Sequence, residues 1–128
     1  MKTILIAASC VAALALPTAA LADAAQEIAT AQTHAGLAAK APAIDGVHMH
    51  MHHALNCLVG PKGDGYDSTN MNPCASQGNG AIPDSSDAAQ KAKLTQAVAT
   101  LKAGLASSDM ATAGKDATDA AATLGSAK

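Results

Sequence analysis

Four of the chain's five histidines and two of its five methionines fall in the run Val47-His48-Met49-His50-Met51-His52-His53. Imidazole and thioether are borderline-to-soft ligands that suit copper, zinc and nickel, whereas magnesium-like ions select oxygen donors. Neutral imidazole is also the commonest protein ligand for metals. Reactive groups are scarce elsewhere. Glu27 is the only glutamate, and the chain offers no carboxylate pair, no nucleophile with a base and no phosphate-cradling Gly loop. These residues point to a metal-binding protein and away from an enzyme.

The geometry of the run depends on the element that carries it. On a helix, at about 100° per residue, Ile44, Val47, His48, Met51, Leu55 and Leu58 share the apolar face. His48 and His52, at i and i+4, then bring two imidazoles to one metal on the inner side. Met51 is the nearest thioether and His34, on the preceding helix, a third nitrogen. The expected inner site is therefore His34, His48, His52 and Met51. His50 and His53 fall on the opposite face with Cys57 and define an expected outer site. On a strand, His48, His50 and His52 would align instead. No other segment supplies a strand partner, and an isolated strand is unstable in water. A lone histidine or methionine on an apolar face is more often core filler than ligand. Several imidazoles together are different, because burying them costs free energy unless they are paired or metallated.

The N-terminus must be separated from the fold. Lys2, the apolar stretch Ile4–Leu16 and the small residues of Ala20-Leu21-Ala22 make a secretory signal peptide over residues 1–22, too short to span a bilayer. Cys10 is discarded with it. The expected mature chain, Asp23–Lys128, is about 100 residues, the size of one domain. No second apolar stretch follows, so the protein is expected to be periplasmic or secreted and free of the membrane. A net charge of −2 gives no footprint for nucleic acid.

Cys57 and Cys74 remain, and an even number of cysteines in an oxidising compartment argues for a disulfide. The hydrophobic content of 49% is mostly alanine, with no Phe, no Trp and one Tyr, Tyr66. Alanine is the best helix former but contributes little burial energy. The expectation is close-packed helices around a thin core that needs a staple.

Four helical patterns follow. The first, Asp23–Lys40, carries Ala24, Ile28, Ala31, Ala35 and Ala38 on one stripe and stops before Pro42. The second starts near Ala43–Asp45 and ends at Gly60-Pro61. The third, about Ser86–Ala106, shows Leu94, Val98, Leu101 and Leu105. The fourth, about Met110–Leu124, shows Met110, Ala113, Ala117, Ala121 and Leu124. Residues 60–86, rich in Gly, Pro, Asp, Asn and Ser, read as a long loop tethered by the disulfide. Asp64, Asp67, Asn70 and Asn72 lack EF-hand spacing and read as turn formers. The predicted fold is all-α: an Ala-rich up-down-up-down four-helix bundle with the loop between helices two and three.

The last two helices contain Ala-Val-Ala-Thr-Leu-Lys-Ala-Gly-Leu-Ala-Ser and Asp-Met-Ala-Thr-Ala-Gly-Lys-Asp-Ala-Thr-Asp-Ala-Ala-Ala-Thr-Leu. They resemble the helix-hairpin repeats of small His-rich periplasmic metal-binding proteins. That resemblance implies a four-helix bundle binding copper and other divalent ions along its helices. This chain departs from the pattern, since its histidines cluster on the second helix instead.

The function expected from these residues is a metal buffer, scavenger or carrier, with copper favoured and zinc or nickel as alternatives. His with Met accommodates both copper oxidation states. Its partners would be the ion and a periplasmic metal-trafficking protein. One rival is a haem-binding electron-transfer bundle with His and Met axial ligands, though the chain has neither a Cys-x-x-Cys-His motif nor aromatics for a macrocycle pocket. The other is a non-metal interaction protein whose histidines sense acid and whose pinned loop is the contact surface.

Overall fold

Three aspartates set the starts of three long helices in the computed structural model, which describes residues 22–128. Asp23 accepts the Gln26 amide at 3.0 Å and opens α1 (Ala24–Lys40). Asp87 accepts the Gln90 amide and Asp109 the Thr112 amide, opening a later pair. Each satisfies an amide that the first helical turn leaves unpaired. The expected signal peptide, Cys10 included, lies outside the described residues except for Ala22.

The elements are α1, α2 (Ile44–Val59), a single turn α3 (Ala81–Asp84), α4 (Ala88–Ala106) and α5 (Met110–Gly125). The fold is all-α, with no strand among the described residues. α1 packs on α2 and α5, and α5 packs on α4, while α2 also touches α4. No described helix is long and apolar enough to cross a membrane.

Small side chains line the tightest seams. α1 buries Ile28, Ala31, Ala35 and Ala38, and α5 buries Ala113, Ala117, Ala120 and Leu124. Alanines at three- and four-residue steps let helix backbones approach closely. The larger core residues are few: Ile28, Val47, Met51, Leu55, Leu58, Leu94, Leu101 and Leu124. Each contributes roughly 1.5–3 kcal/mol on burial.

Two expected stripes shift by a position. α4 buries Leu94, Ala97, Leu101 and Gly104, leaving Val98 and Leu105 only partly covered. α5 buries Ala120 in place of Ala121, and Met110 is 39% exposed. The reason is steric. Seams built on alanine and glycine admit no second row of leucines, and Gly104 leaves the space that the end of the Met51 side chain occupies.

The segment 60–86 wraps the C-terminal half of α2, where every residue from His53 to Val59 is buried. The disulfide Cys57–Cys74 ties it down, with a Cα–Cα distance of 5.2 Å. Asn56, fully buried, donates through Nδ2 to the carbonyls of Asp67, Asn70 and Met71 and accepts the Asp67 amide. Two glycines then let the segment close on itself. Gly60 has φ +67°, and a Cβ there would lie 1.6 Å from the Asn79 carbonyl oxygen. Gly80 has φ +118° and sits against the Gly60 amide. Beyond Gly80 the chain makes the helical turn α3, which the loop composition of this segment did not announce.

Candidate metal centre

His50 and His53, one helical turn apart, lie on the side of α2 that faces α1. There they meet His34. The ring centroids form a near-equal triangle: 5.1 Å between His34 and His53, 5.5 Å between His34 and His50, and 5.6 Å between His50 and His53. The His53 ring stands edge-on to both others, with interplanar angles of 85°. Each ring offers one nitrogen such that all three lie within 4.8 Å of one another.

One contact within the triangle is short. The Nδ1 atoms of His34 and His50 are 3.3 Å apart. A tetrahedral ion with metal–nitrogen bonds near 2.0–2.1 Å separates its ligands by about 3.3–3.4 Å. The same distance also admits an N–H···N hydrogen bond between the two rings, with donor and acceptor set by the tautomers.

Burial disfavours protonation of two of the three rings, His34 and His53. Burial holds the His34 ring below the ordinary imidazole range, and the neighbouring His53 and His50 add to the effect. His53, 5% exposed, is lowered by burial first and by His50 and His52 after it. Its Nδ1 is buried with no hydrogen-bond partner. A neutral imidazole with an unpaired buried nitrogen is the form that accepts a metal ion. The rings are carried on two rigid helices whose intervening residues, Ala31, Ala35, Ala38 and Ala54, are too small to hold the seam apart.

The remaining candidates are placed elsewhere. His48 Nε2 donates to the Ser107 carbonyl at 2.9 Å, joining α2 to the α4–α5 turn. His52 leans over the wrapped segment, its Nδ1 3.5 Å from Asp67 Oδ2. Thr69, through its hydroxyl and then its amide, and Asn70 hold that Asp67 carboxyl at about 2. Met51 is fully buried with its sulfur and terminal methyl against Gly104, and Met49 is 42% exposed. The inner set His34, His48, His52 and Met51 is therefore not brought together. His34 instead joins the outer pair, His50 and His53.

The physical reason is that α2 has two packing sides. Val47, Met51, Leu55 and Leu58 are buried, as a single apolar stripe requires. The His50–His53–Cys57 side is covered as well, by α1 and the disulfide-tethered segment. One signal for this was available. A bridged cysteine on a helix marks a covered face, so Cys57 argues against open water beside His50 and His53.

Two buried polar groups gave no sequence signal of their own. Asn56 is the clamp already described. Glu27 is fully buried on α1, its Oε1 accepting the Gly80 amide at 2.9 Å and its Oε2 without a partner. Burial raises its carboxyl to about 7, against the lowering effect of the Gly80 amide, and Asp84 beside it pushes the same way as burial.

Comparison of the chain with protein-family models, with curated proteins and with solved structures finds no match to any of them.

Proposed function

We propose that this is an exported metal-binding protein in which His34, His50 and His53 hold one transition-metal ion. The observation that carries this reading is the convergence of three imidazoles from two helices, one of them with a buried, unpartnered nitrogen. Copper remains the favoured ion, with zinc or nickel as alternatives. With Met51 packed against Gly104 the donor set is all nitrogen, and among divalent ions Cu²⁺ binds such sets most tightly. Three ligands on two helices leave a fourth position open to water or to a donor from a metal-trafficking partner, which suits a buffer, scavenger or carrier.

The finer architecture belongs to the same reading. The four long helices make an up-down-up-down bundle, and the disulfide holds the 60–86 segment against the C-terminal half of α2. The mutual contact of the rings leaves no slot for a macrocycle between them, which weighs against a haem protein.

Calorimetric titration of metal-free protein near pH 7 with Cu²⁺, Zn²⁺ and Ni²⁺ tests the proposal. One ion per chain is expected, with Cu²⁺ tightest. Absence of saturable binding for all three would overturn it.

A further inference from the structure

A second concave region lies on a different part of the molecule, between the α2–α3 connection and the exposed face of α4. It encloses about 800 Å³, within the range of small-molecule sites. Its interior is apolar, contributed chiefly by Pro61, Ile82, Pro83, Val98 and Ala99. None of His34, His50 and His53 lines it.

Three lysines border the apolar surface, Lys62, Lys91 and Lys102, against two acids, Asp64 and Asp84. Both acids are already engaged. Asp64 pairs with Lys102, and Asp84 accepts the Asn79 amide at 2.6 Å and the Asn79 side-chain amide at 3.2 Å, beside Glu27. Lys62 and Lys91 make no ion pair among the described residues. Asp84 keeps its charge, so the groove combines an apolar floor with a net lining charge of +1, with Lys62 and Lys91 outside any ion pair.

Its shape is held rigidly. The Gly60–Gly80 contact, too close for any Cβ, seats α3 against the end of α2, and the Asp64–Lys102 pair ties the near wall to α4. Lys91, Thr95, Val98, Ala99 and Lys102 follow one stripe of α4. The eleven helical steps from Lys91 to Lys102 span about 16 Å. That length accommodates a single extended hydrocarbon chain with a charged end.

We propose that this groove binds an amphipathic organic anion, an alkyl chain lying on Ile82, Val98 and Ala99 with its carboxylate met by Lys62 and Lys91. The apolar area supplies the affinity and the lysines select the sign of the head group. This site is independent of the metal centre.

Decanoate, at concentrations below micelle formation, is the probe. Titration of purified protein followed by amide NMR is expected to give saturable one-to-one binding, with shifts confined to α3, residues 60–64 and the 91–102 face of α4. Decyltrimethylammonium, with the same chain length and opposite charge, is expected to bind at least about tenfold more weakly. The double variant Lys62→Gln/Lys91→Gln should lose about tenfold for decanoate and nothing for the cation. Ala99→Trp, at an exposed position, should fill the groove and abolish binding. If that variant loses its helical circular dichroism, the lysine variant decides. Unsaturable decanoate binding, equal affinity for the alkyl cation, or wild-type affinity in the lysine variant would each overturn the proposal.

Discussion

Asn56 and Asp67 hold one another by two hydrogen bonds of equal length. The Asn56 Nδ2 donates to the Asp67 carbonyl, and the Asp67 amide donates to Asn56 Oδ1, each at 2.9 Å. A side-chain amide thus takes the place of a backbone partner, giving the wrapped segment a deep anchor on α2 besides the disulfide. Asn56→Ala would strand a buried amide and several carbonyls, at about 1–3 kcal/mol per unsatisfied group. Urea unfolding should show a loss of at least about 2 kcal/mol, and amide exchange should accelerate first around residues 67–71. Unchanged exchange there would refute the anchoring role.

The histidines should separate into two sets by metal affinity. His34→Gln, His50→Gln and His53→Gln each remove one of three ligands and should weaken Cu²⁺ or Zn²⁺ binding by about tenfold or more. His48→Gln and His52→Gln should stay within about twofold of wild type, since the first binds the Ser107 carbonyl and the second faces Asp67. The opposite ranking in competition titrations would restore the grouping His34, His48, His52.

Stability of the metal-free protein should respond to pH through two opposing groups. The folded state raises Glu27 from 4.5 to about 7, so it holds that proton more tightly than the unfolded chain. The stability it contributes is full below about 4.5 and is lost as pH rises through about 7. His34 and His53 run the other way. Their folded values lie below 6.5, so stability falls as pH drops under 6.5 and the unfolded chain takes up protons. Glu27→Gln keeps an acceptor for the Gly80 amide and removes the first effect. Relative to wild type, the variant should gain stability on going from pH 5 to pH 8, by up to a few kcal/mol. A difference independent of pH, measured by urea midpoints, would contradict the buried-carboxyl account.

Removing the bridge should cost stability more than metal affinity. Cys57→Ala/Cys74→Ala opens a loop with a sequence separation of 17, worth about 3 kcal/mol in the chain-entropy picture. Tm should fall on the order of 10 °C. His34, His50 and His53 all sit on α1 and α2, so metal affinity measured well below Tm should change only about twofold.

Two glycines should respond to alanine with opposite signs. At Gly114, within α5, an added Cβ meets nothing within 4 Å, and Gly114→Ala should stabilise by about 0.5–1 kcal/mol. Gly60→Ala forces a Cβ onto the Asn79 carbonyl at positive φ and should destabilise by more than about 2 kcal/mol. Thermal melts of the two variants read both signs.

The helices were legible in the chain because their determinants are local. Asp23, Asp87 and Asp109 act within one turn, Pro42 and Gly60 stop what precedes them, and alanine sets the propensity between. The disulfide partners were legible too, since only Cys57 and Cys74 follow the apolar N-terminal stretch. So was the type of chemistry, from four histidines in one short run.

Which histidines meet was a tertiary matter. A hydrophobic stripe orients a helix towards one neighbour, but α2 packs against α1 on one side and α4 and α5 on the other. Its rotation relative to His34 is set by both seams together. The burial of Glu27 and Asn56 has the same origin, because each finds its partners in a segment 11 to 53 residues away that the local pattern reads only as loop. Local propensity determined where the helices run and that imidazole is available. The fit between helices decided that His34, His50 and His53 share one point in space, while His48 and His52 brace the fold around it.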